Sequence, residues 1–161
     1  MVIVLMGVAG SGKTTIGLAL AAQLGWSFRD ADEFHPPANV AKMSSGTPLT
    51  DRDRTAWLAA IRAHLDACGT RGENAVVTCS ALKEKYRARL IADPANVKLV
   101  HLAGDPELIA ERLRARQGHF MKPEMLQSQF ADLEPPRDAL TVDIAPPPDA
   151  IIAQIRQAFS L

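Results

Sequence analysis

The segment GVAGSGKT at residues 7–14 decides the fold class, because it matches G-x-x-x-x-G-K-[ST] in the setting which that pattern requires. An apolar run at residues 2–6 precedes the segment, and helix-forming residues at 13–24 follow it and end at Gly25. We therefore predict a strand, a tight loop and a helix, in that order. The glycines let backbone N–H groups surround phosphate oxygens, and the helix N-terminus adds a partial positive charge.

The chemistry of this loop predicts binding of ATP with Mg²⁺. Lys13 is placed to reach the β- and γ-phosphates, and the hydroxyl of Thr14 is placed to ligate the metal ion. The candidates for nucleotide binding are Gly7, Gly10, Ser11, Gly12, Lys13, Thr14 and Thr15. The alternative is a glycine-rich turn with an accidental lysine, but the required residues rarely coincide by chance.

The size and charge of the chain restrict its partners. Its 161 residues fit one domain, 1–161. Lys and Arg total 18, as do Asp and Glu, so neither a nucleic-acid partner nor a membrane surface is expected. The longest apolar stretch, residues 2–6, is too short to span a bilayer, and the start lacks a signal-peptide pattern. Cys68 and Cys79 form no CxxC pair, which predicts reduced thiols and a cytoplasmic location.

Strand-like runs and helical patterns alternate along the rest of the chain. Further strands are predicted at residues 26–29, 75–79, 97–102 and 141–144. Further helices are predicted at residues 39–43, 51–68, 83–91, 106–116, 123–133 and 149–159. This order predicts an α/β fold, a five-stranded parallel sheet with helices on both faces. We also expect a substrate-binding insert at about 33–70 and a lid region at about 116–133.

Two carboxylates at the end of the second strand are candidate catalytic groups. Asp30 and Asp32 come where ligands collect in open α/β sheets, and on an extended chain they would point the same way. One carboxylate near Mg²⁺ and one near a substrate hydroxyl suit phosphoryl transfer to an alcohol, while a solvated acidic turn is the alternative. Arg112 and Arg116 share one face of a predicted helix, so one guanidinium can stack on adenine while the other reaches the transferring phosphate.

Two other classes of nucleotide-binding protein fit the sequence less well. A GTPase needs a guanine-reading N-K-x-D, which the sequence lacks, and its D-x-x-G occurs only at 66–69, at a predicted helix end. A mechanical ATPase usually carries an acidic residue at the end of a buried strand, but the strand that ends at Thr78 and Cys79 offers none. The carboxylate for the metal ion must therefore come from elsewhere, and Asp30 and Asp32 are the nearest candidates.

A set of short motifs extends over most of the chain. They are GVAGSGKT at 7–14, LGW at 24–26, DADEFHP at 30–36, KM at 42–43, GTPLTDRDR at 46–54, WL at 57–58, CSALK at 79–83, YR at 86–87, GHFM at 118–121, LQSQF at 126–130 and LEPP at 133–136. Together they resemble the gluconate kinases, P-loop enzymes grouped with the nucleoside-monophosphate kinases and shikimate kinases. The departures are Ala9, where Ser is frequent, and the pair Thr14-Thr15, where Ser–Ala or Ser–Thr is common. Backbone N–H groups form the phosphate cradle, so these changes matter little.

The resemblance implies transfer of the γ-phosphate of ATP to the 6-hydroxyl of D-gluconate, with Mg²⁺ required and a homodimer as a possible assembly. It implies that Asp32 binds the acceptor hydroxyl and takes its proton, while Asp30 steadies Mg²⁺ through water. Lys13 and Arg116 complete the expected catalytic set. The candidate substrate-binding residues are Asp32, His35, Arg52, Arg54, Lys83, Arg87 and His119.

Several alternatives stay open at this point. His35 can bind a sugar hydroxyl or cap a turn, and at least some of the candidate arginines and lysines must be solvated surface charges. Trp57 can pack on the sugar, but it lies on an apolar helical stripe and is expected in the core. The rival functions are another small-alcohol kinase, such as a shikimate kinase, and an ATP-binding sensor that transfers no phosphate.

Overall fold

The computed structural model describes residues 1–115 and 123–161. Within these residues the strands are β1 Val2–Met6, β2 Ser27–Asp30, β3 Ala75–Thr78, β4 Val97–Ala103 and β5 Leu140–Asp143. The helices are α1 Lys13–Leu24, α2 Pro37–Ser44, α3 Asp51–Arg71, α4 Glu84–Leu90, α5 Pro106–Ala115, α6 Pro123–Asp132 and α7 Pro148–Phe159. A short 3₁₀ helix, Ala31–Phe34, follows β2. The predicted alternation of strands and helices is confirmed.

The described strands form one parallel sheet in the order β2-β3-β1-β4-β5. Val4 of β1 pairs with Val77 of β3 on one side and with Leu99 of β4 on the other. Because the chain crosses to β2 after β1 and later returns to the other side as β4, the carboxyl end of β1 is a topological switch point. The phosphate-binding loop therefore begins where open α/β sheets collect their ligands.

Alternating residues of the strands pack against helices on both faces of the sheet. Ile3 and Leu5 lie in a buried cluster that includes side chains of α1, α5 and α7. Val2, Val4 and Met6 lie in a second buried cluster, with side chains of α3 and α4. This arrangement confirms the predicted fold class, and it leaves the loop edge of the sheet for the site. None of the helices in the described ranges is both long and apolar enough to cross a membrane.

The helix α3 confirms one expectation and corrects another. Trp57 is buried in the second cluster, as its place on the apolar stripe predicts. The predicted end of this helix at residue 68 is wrong, because the helix continues to Arg71 and is capped by Gly72 with φ of 66°. Glycine ends a helix where it takes the left-handed conformation, and here Gly72 does so.

The segment after β2 also differs from the prediction. Asp32 does not continue an extended chain but lies in the 3₁₀ helix Ala31–Phe34. The side chain of Asp30 accepts a hydrogen bond from the N–H of Asp32 over 3.1 Å, and Glu33 reaches back to the N–H of Asp30 over 3.3 Å. This capping box turns the chain immediately after β2, so the argument from strand alternation fails for this pair.

Candidate active site

The phosphate-binding loop between β1 and α1 has a tightly determined shape. Gly10 and Gly12 have φ of 80° and 90°, in the left-handed region that favours glycine. A Cβ on Gly10 would lie 2.7 Å from Cγ of Leu113, so the loop packs directly against α5. The N–H of Ser11 donates to the carbonyl of Val8 over 3.2 Å and closes the loop.

Lys13 begins α1 and is held at the loop that precedes it. Its Nζ donates to the carbonyl oxygens of Gly7 and Val8 over 3.0 and 2.9 Å. The ammonium group therefore lies beside the backbone that is expected to surround the phosphates. Thr14 and Thr15 follow on the first turn of the helix, and both are exposed.

Gln129 of α6 makes a contact with the loop that sequence reasoning missed. The N–H of Ala9 donates to Oε1 of Gln129 over 2.7 Å. The sequence signal was present, because Gln129 lies in the motif LQSQF at 126–130, but nothing in the pattern indicated a partner 120 residues away. The contact ties α6 to the phosphate-binding loop.

Thr14 and Asp30 come together across the gap between α1 and β2. Thr14 Oγ1 donates to Asp30 Oδ2 over 3.4 Å, and Asp30 is fixed further by capping the 3₁₀ helix. Both are oxygen donors, as Mg²⁺ prefers, and Mg²⁺ in phosphoryl-transfer enzymes takes only one or two protein ligands beside phosphates and waters. The pair therefore fits the metal site that the sequence predicts.

Asp32 projects from the 3₁₀ helix into the same region. Its side chain is 83% exposed. Neighbouring residues nevertheless displace part of the water around the carboxylate. This partial desolvation is the main cause that raises the pKa of Asp32, and the negative charge of Asp30 raises it further. The charges of His35 and Lys13 lower it. The backbone N–H of Asp32 donates to Asp30 Oδ1 over 3.1 Å, so Asp32 lies next to the Thr14–Asp30 pair.

The ring of His35 is fixed beneath this carboxylate. It stacks on Trp57 with ring centroids 4.5 Å apart and planes inclined by 10°, and its side chain is only 4% exposed. Its Nε2 lies 3.8 Å from Asp32 Oδ1. Burial is the main cause that lowers the pKa of His35. The charge of Asp32 raises this pKa, and the charge of Arg54 lowers it. Direct binding of a sugar hydroxyl by His35 stays a prediction, for which the ring offers little surface.

The candidate cations for a substrate carboxylate fall into two groups. Arg52 is exposed on the first turn of α3. The guanidinium of Arg54 lies 5.7 Å from the ring centre of Tyr86 and donates to the carbonyl of Leu49 over 2.7 Å. Lys83 pairs with Asp132 of α6 at 3.0 Å, and this hydrogen bond raises its pKa.

Arg87 and Arg112 are engaged by backbone carbonyls. Arg87 is buried, and its Nη1 donates to Ala81 and Leu82 over 3.0 and 2.8 Å. These contacts support the loop after β3, which is a structural use of the side chain. Arg112 donates to the carbonyl of Ile144 over 2.8 Å. Arg116 and His119, like the part of the predicted lid at 116–122, lie outside the described residues.

These features together define a class of protein. A parallel sheet carries a glycine-rich loop after its central strand, a lysine at the loop, and a Thr14–Asp30 pair beside a further carboxylate. That combination is typical of P-loop phosphotransferases, in which the loop holds phosphates and acidic side chains serve the metal ion and the acceptor.

Comparison with known proteins narrows the class to a family. The family described as AAA domain matches residues 2–136. Gluconokinase of Gluconobacter oxydans is 44% identical over 160 residues, which are 98% of this chain and 90% of that protein. The crystal structure of a gluconokinase from Sinorhizobium meliloti 1021 is 41% identical with a TM-score of 0.82, and the match covers 98% of this chain and 94% of that one. The chain belongs to the gluconokinase family.

A more distant structure shares the fold alone. Shikimate kinase from Aquifex aeolicus is 17% identical, with a TM-score of 0.61 over 99% of this chain and 96% of that one. The same scaffold therefore serves a different acceptor in that protein. What distinguishes the present chain is its higher identity to the gluconokinases along nearly its whole length.

Proposed function

We propose that the protein transfers the γ-phosphate of ATP to the 6-hydroxyl of D-gluconate and forms 6-phospho-D-gluconate. The observation that carries the proposal is that Thr14, which directly follows the phosphate-binding loop, contacts Asp30, and that Asp30 in turn accepts a hydrogen bond from the N–H of Asp32. A nucleotide sensor needs the loop alone, whereas a kinase also needs a group that serves the acceptor. The gluconokinase relatives indicate which acceptor that is.

The residues of this chain divide the chemistry between them. Loop N–H groups and Lys13 stabilise negative charge on the phosphates, which is the main catalytic contribution in phosphoryl transfer. Asp32 accepts a hydrogen bond from the 6-hydroxyl and aligns its oxygen with the γ-phosphorus. As the new O–P bond forms, the bond from the γ-phosphorus to the bridging oxygen breaks, ADP leaves, and the hydroxyl proton passes to Asp32. The raised pKa of Asp32 makes its carboxylate a stronger proton acceptor.

The metal ion belongs to the same proposal. Thr14 and Asp30 would hold Mg²⁺, Asp30 through water, because their oxygens meet at the start of α1 and suit a hard cation. When bound, Mg²⁺ neutralises charge on the β- and γ-phosphates.

The substrate carboxylate requires a cationic partner. Arg52, Arg54 and Lys83 remain candidates, since each is at least partly accessible. Arg87 is the weakest candidate for binding the substrate carboxylate, because it is buried and its guanidinium donates to two backbone carbonyls. Arg54 lies on the same helix as Trp57, which supports the 3₁₀ helix that carries Asp32, and so it is the first residue to test.

Four finer expectations accompany the proposal. They are a substrate-binding insert at about 33–70, a lid region at about 116–133, a homodimer and a cytoplasmic location. The 3₁₀ helix, α2 and the start of α3 all lie near Asp32 in sequence or in space, which supports the insert. Sedimentation of the purified protein tests the homodimer.

An acceptor screen tests the proposed function. ATP consumption is measured with D-gluconate, with shikimate and with no acceptor, and Lys13→Ala serves as the inactive control. We expect turnover that depends on gluconate and is lost in the control. Turnover with shikimate alone would assign the protein to another small-alcohol kinase, and ATP binding without turnover on any acceptor would assign it to the sensors.

A further inference from the structure

Asn39 of α2 contacts both the ring of His35 and a backbone carbonyl through one amide nitrogen. Its Nδ2 donates to the backbone carbonyl of Asp53 over 2.9 Å, and the same Nδ2 lies 3.3 Å from His35 Nδ1. A carbonyl can only accept a hydrogen bond, so the amide NH₂ is the group that lies between Asp53 and His35. His35 Nδ1 must then be the acceptor, which leaves the proton of the neutral ring on Nε2.

That proton faces the candidate catalytic carboxylate. His35 Nε2 lies 3.8 Å from Asp32 Oδ1, a separation that is longer than a hydrogen bond. The two side chains differ in freedom, because His35 is 4% exposed and stacked on Trp57, whereas Asp32 is 83% exposed. A small rotation of the free carboxylate therefore brings it to a donor whose own position is fixed.

Two further contacts hold this arrangement to α3. Trp57 Nε1 donates to the carbonyl of Ala31 over 2.7 Å, and Ala31 immediately precedes Asp32. Asn39 is buried and reaches the backbone of Asp53 in the first turn of α3. Both ends of the segment that carries Asp32 are thus tied to the same helix.

We propose that His35, set in its Nε2–H form by Asn39, is a positioning residue that aligns the Asp32 carboxylate for the acceptor hydroxyl. The proposal deepens the proposed function and rests on it for the role of Asp32. It also assigns a buried polar set, Asn39, His35 and Trp57, to the orientation of the reaction rather than to contact with the sugar. Asn39 is a residue that the sequence analysis did not single out.

Two substitutions at His35 separate positioning from packing. His35→Gln keeps an N–H donor near the place of Nε2 but loses the aromatic stack on Trp57. His35→Phe keeps an aromatic ring for the stack on Trp57, although the ring is larger, and has no donor. If alignment matters, a misdirected carboxylate lowers kcat by about 10–100-fold in the Phe variant, with the KM for ATP unchanged. The Gln variant should then retain more of the parent kcat than the Phe variant does.

The opposite ranking would overturn the proposal. If His35 only packs, the Phe variant should be more active and more heat-stable than the Gln variant. Thermal unfolding of both variants shows whether a loss of activity is a loss of folding. A Phe variant that is stably folded and has the parent kcat would exclude a positioning role.

A second measurement does not depend on activity. Nitrogen NMR shifts of the His35 ring report which nitrogen is protonated in the intact protein, and we expect the Nε2–H form at neutral pH. A ring protonated on Nδ1 would refute the proposal whatever the kinetics show. Should the parent protein fail to phosphorylate gluconate, the proposed function would be wrong, and the NMR result would still decide which nitrogen of His35 carries the proton.

Discussion

Gly17 lies where α1 packs closely against the sheet. A Cβ at this buried position would lie 2.7 Å from Cε2 of Phe28 and 3.0 Å from Cγ2 of Thr78. Such distances require the helix or its neighbours to shift. Phe28 is two residues before Asp30 on β2, and Thr14 is one turn before Gly17 on α1. A shift of α1 away from β2 would therefore also separate the Thr14–Asp30 pair.

The expected effect of Gly17→Ala is the difference of two opposing contributions. Alanine in place of glycine stabilises a helix interior by about 0.5–1 kcal/mol. Forcing a methyl group into a packed interior costs about 1–3 kcal/mol. The free energy of unfolding should therefore fall by about 1 kcal/mol, and by no more than about 2.5 kcal/mol. For a domain of this size a loss of 1 kcal/mol lowers Tm by about 2–4 °C.

Gly69 in α3 is the matched control. It is exposed, and a Cβ there would meet no atom of the described residues within 4 Å. Gly69→Ala should therefore show only the helical gain and raise the free energy of unfolding by about 0.5–1 kcal/mol. Urea and thermal unfolding of the two variants in one buffer measure both changes, and the Mg²⁺ dependence of turnover well below Tm should worsen only in Gly17→Ala. Equal stabilisation by the two substitutions would refute the reasoning.

Three further predictions concern the loop, the carboxylate and a buried histidine. Lys13→Ala should keep the fold and lose at least about 10²–10³ in rate, since an oriented charge on the phosphates is removed; steady-state turnover with circular dichroism checks this, and near-normal activity would contradict it. Asp32→Asn should lower the gluconate-dependent rate far more than it lowers nucleotide affinity. A rate within a few-fold of the parent would show that Asp32 is not the catalytic carboxylate, and Asp30 would be tested next. Burial is the main cause that lowers the pKa of His101, and the charge of Arg87 lowers it further. The unfolded chain therefore binds more protons than the native protein below pH about 6.5. The free energy of unfolding should therefore fall as the pH drops through this range, and His101→Leu should flatten that dependence, measured by urea unfolding at several pH values; an unchanged slope would count against it.

The sequence predicts those parts of the structure that depend on local pattern. The loop at 7–14 and the alternation of apolar runs with helical stripes are local, and the predicted sheet follows from them. The position of Asp30 at the carboxyl end of β2 also predicted that it lies at the edge of the sheet where the loop begins, because parallel strands end at the same edge. Asp30 does contact Thr14 there.

Side-chain contacts that do not follow the period of a helix or a strand could not be predicted from the sequence pattern. Nothing in the sequence indicates that Arg87 is buried against the carbonyls of Ala81 and Leu82, since the spacing of a helix does not say which loop it faces. Asn39 was missed for the same reason, because its partners lie on another helix and on a ring below the carboxylate. The backbone conformation at Asp32 was predicted wrongly as extended. The side chain of Asp30 caps a 3₁₀ helix that includes Asp32, so the alternation of a strand does not continue to this residue.

The N–H of Ala9 in the phosphate-binding loop is already engaged by Gln129 of α6, so a phosphate oxygen that approached it would compete with Gln129 for one donor. Any phosphate oxygen that takes the N–H of Ala9 must first release Gln129 Oε1, so the measured affinity for nucleotide includes the cost of that exchange. If a phosphate oxygen does take this N–H, thermodynamic reciprocity requires that a change which weakens the contact of Gln129 with the loop strengthens nucleotide binding, and that a change which strengthens the contact weakens it. A side chain 120 residues away along the chain thereby sets part of the affinity of the first loop for its ligand.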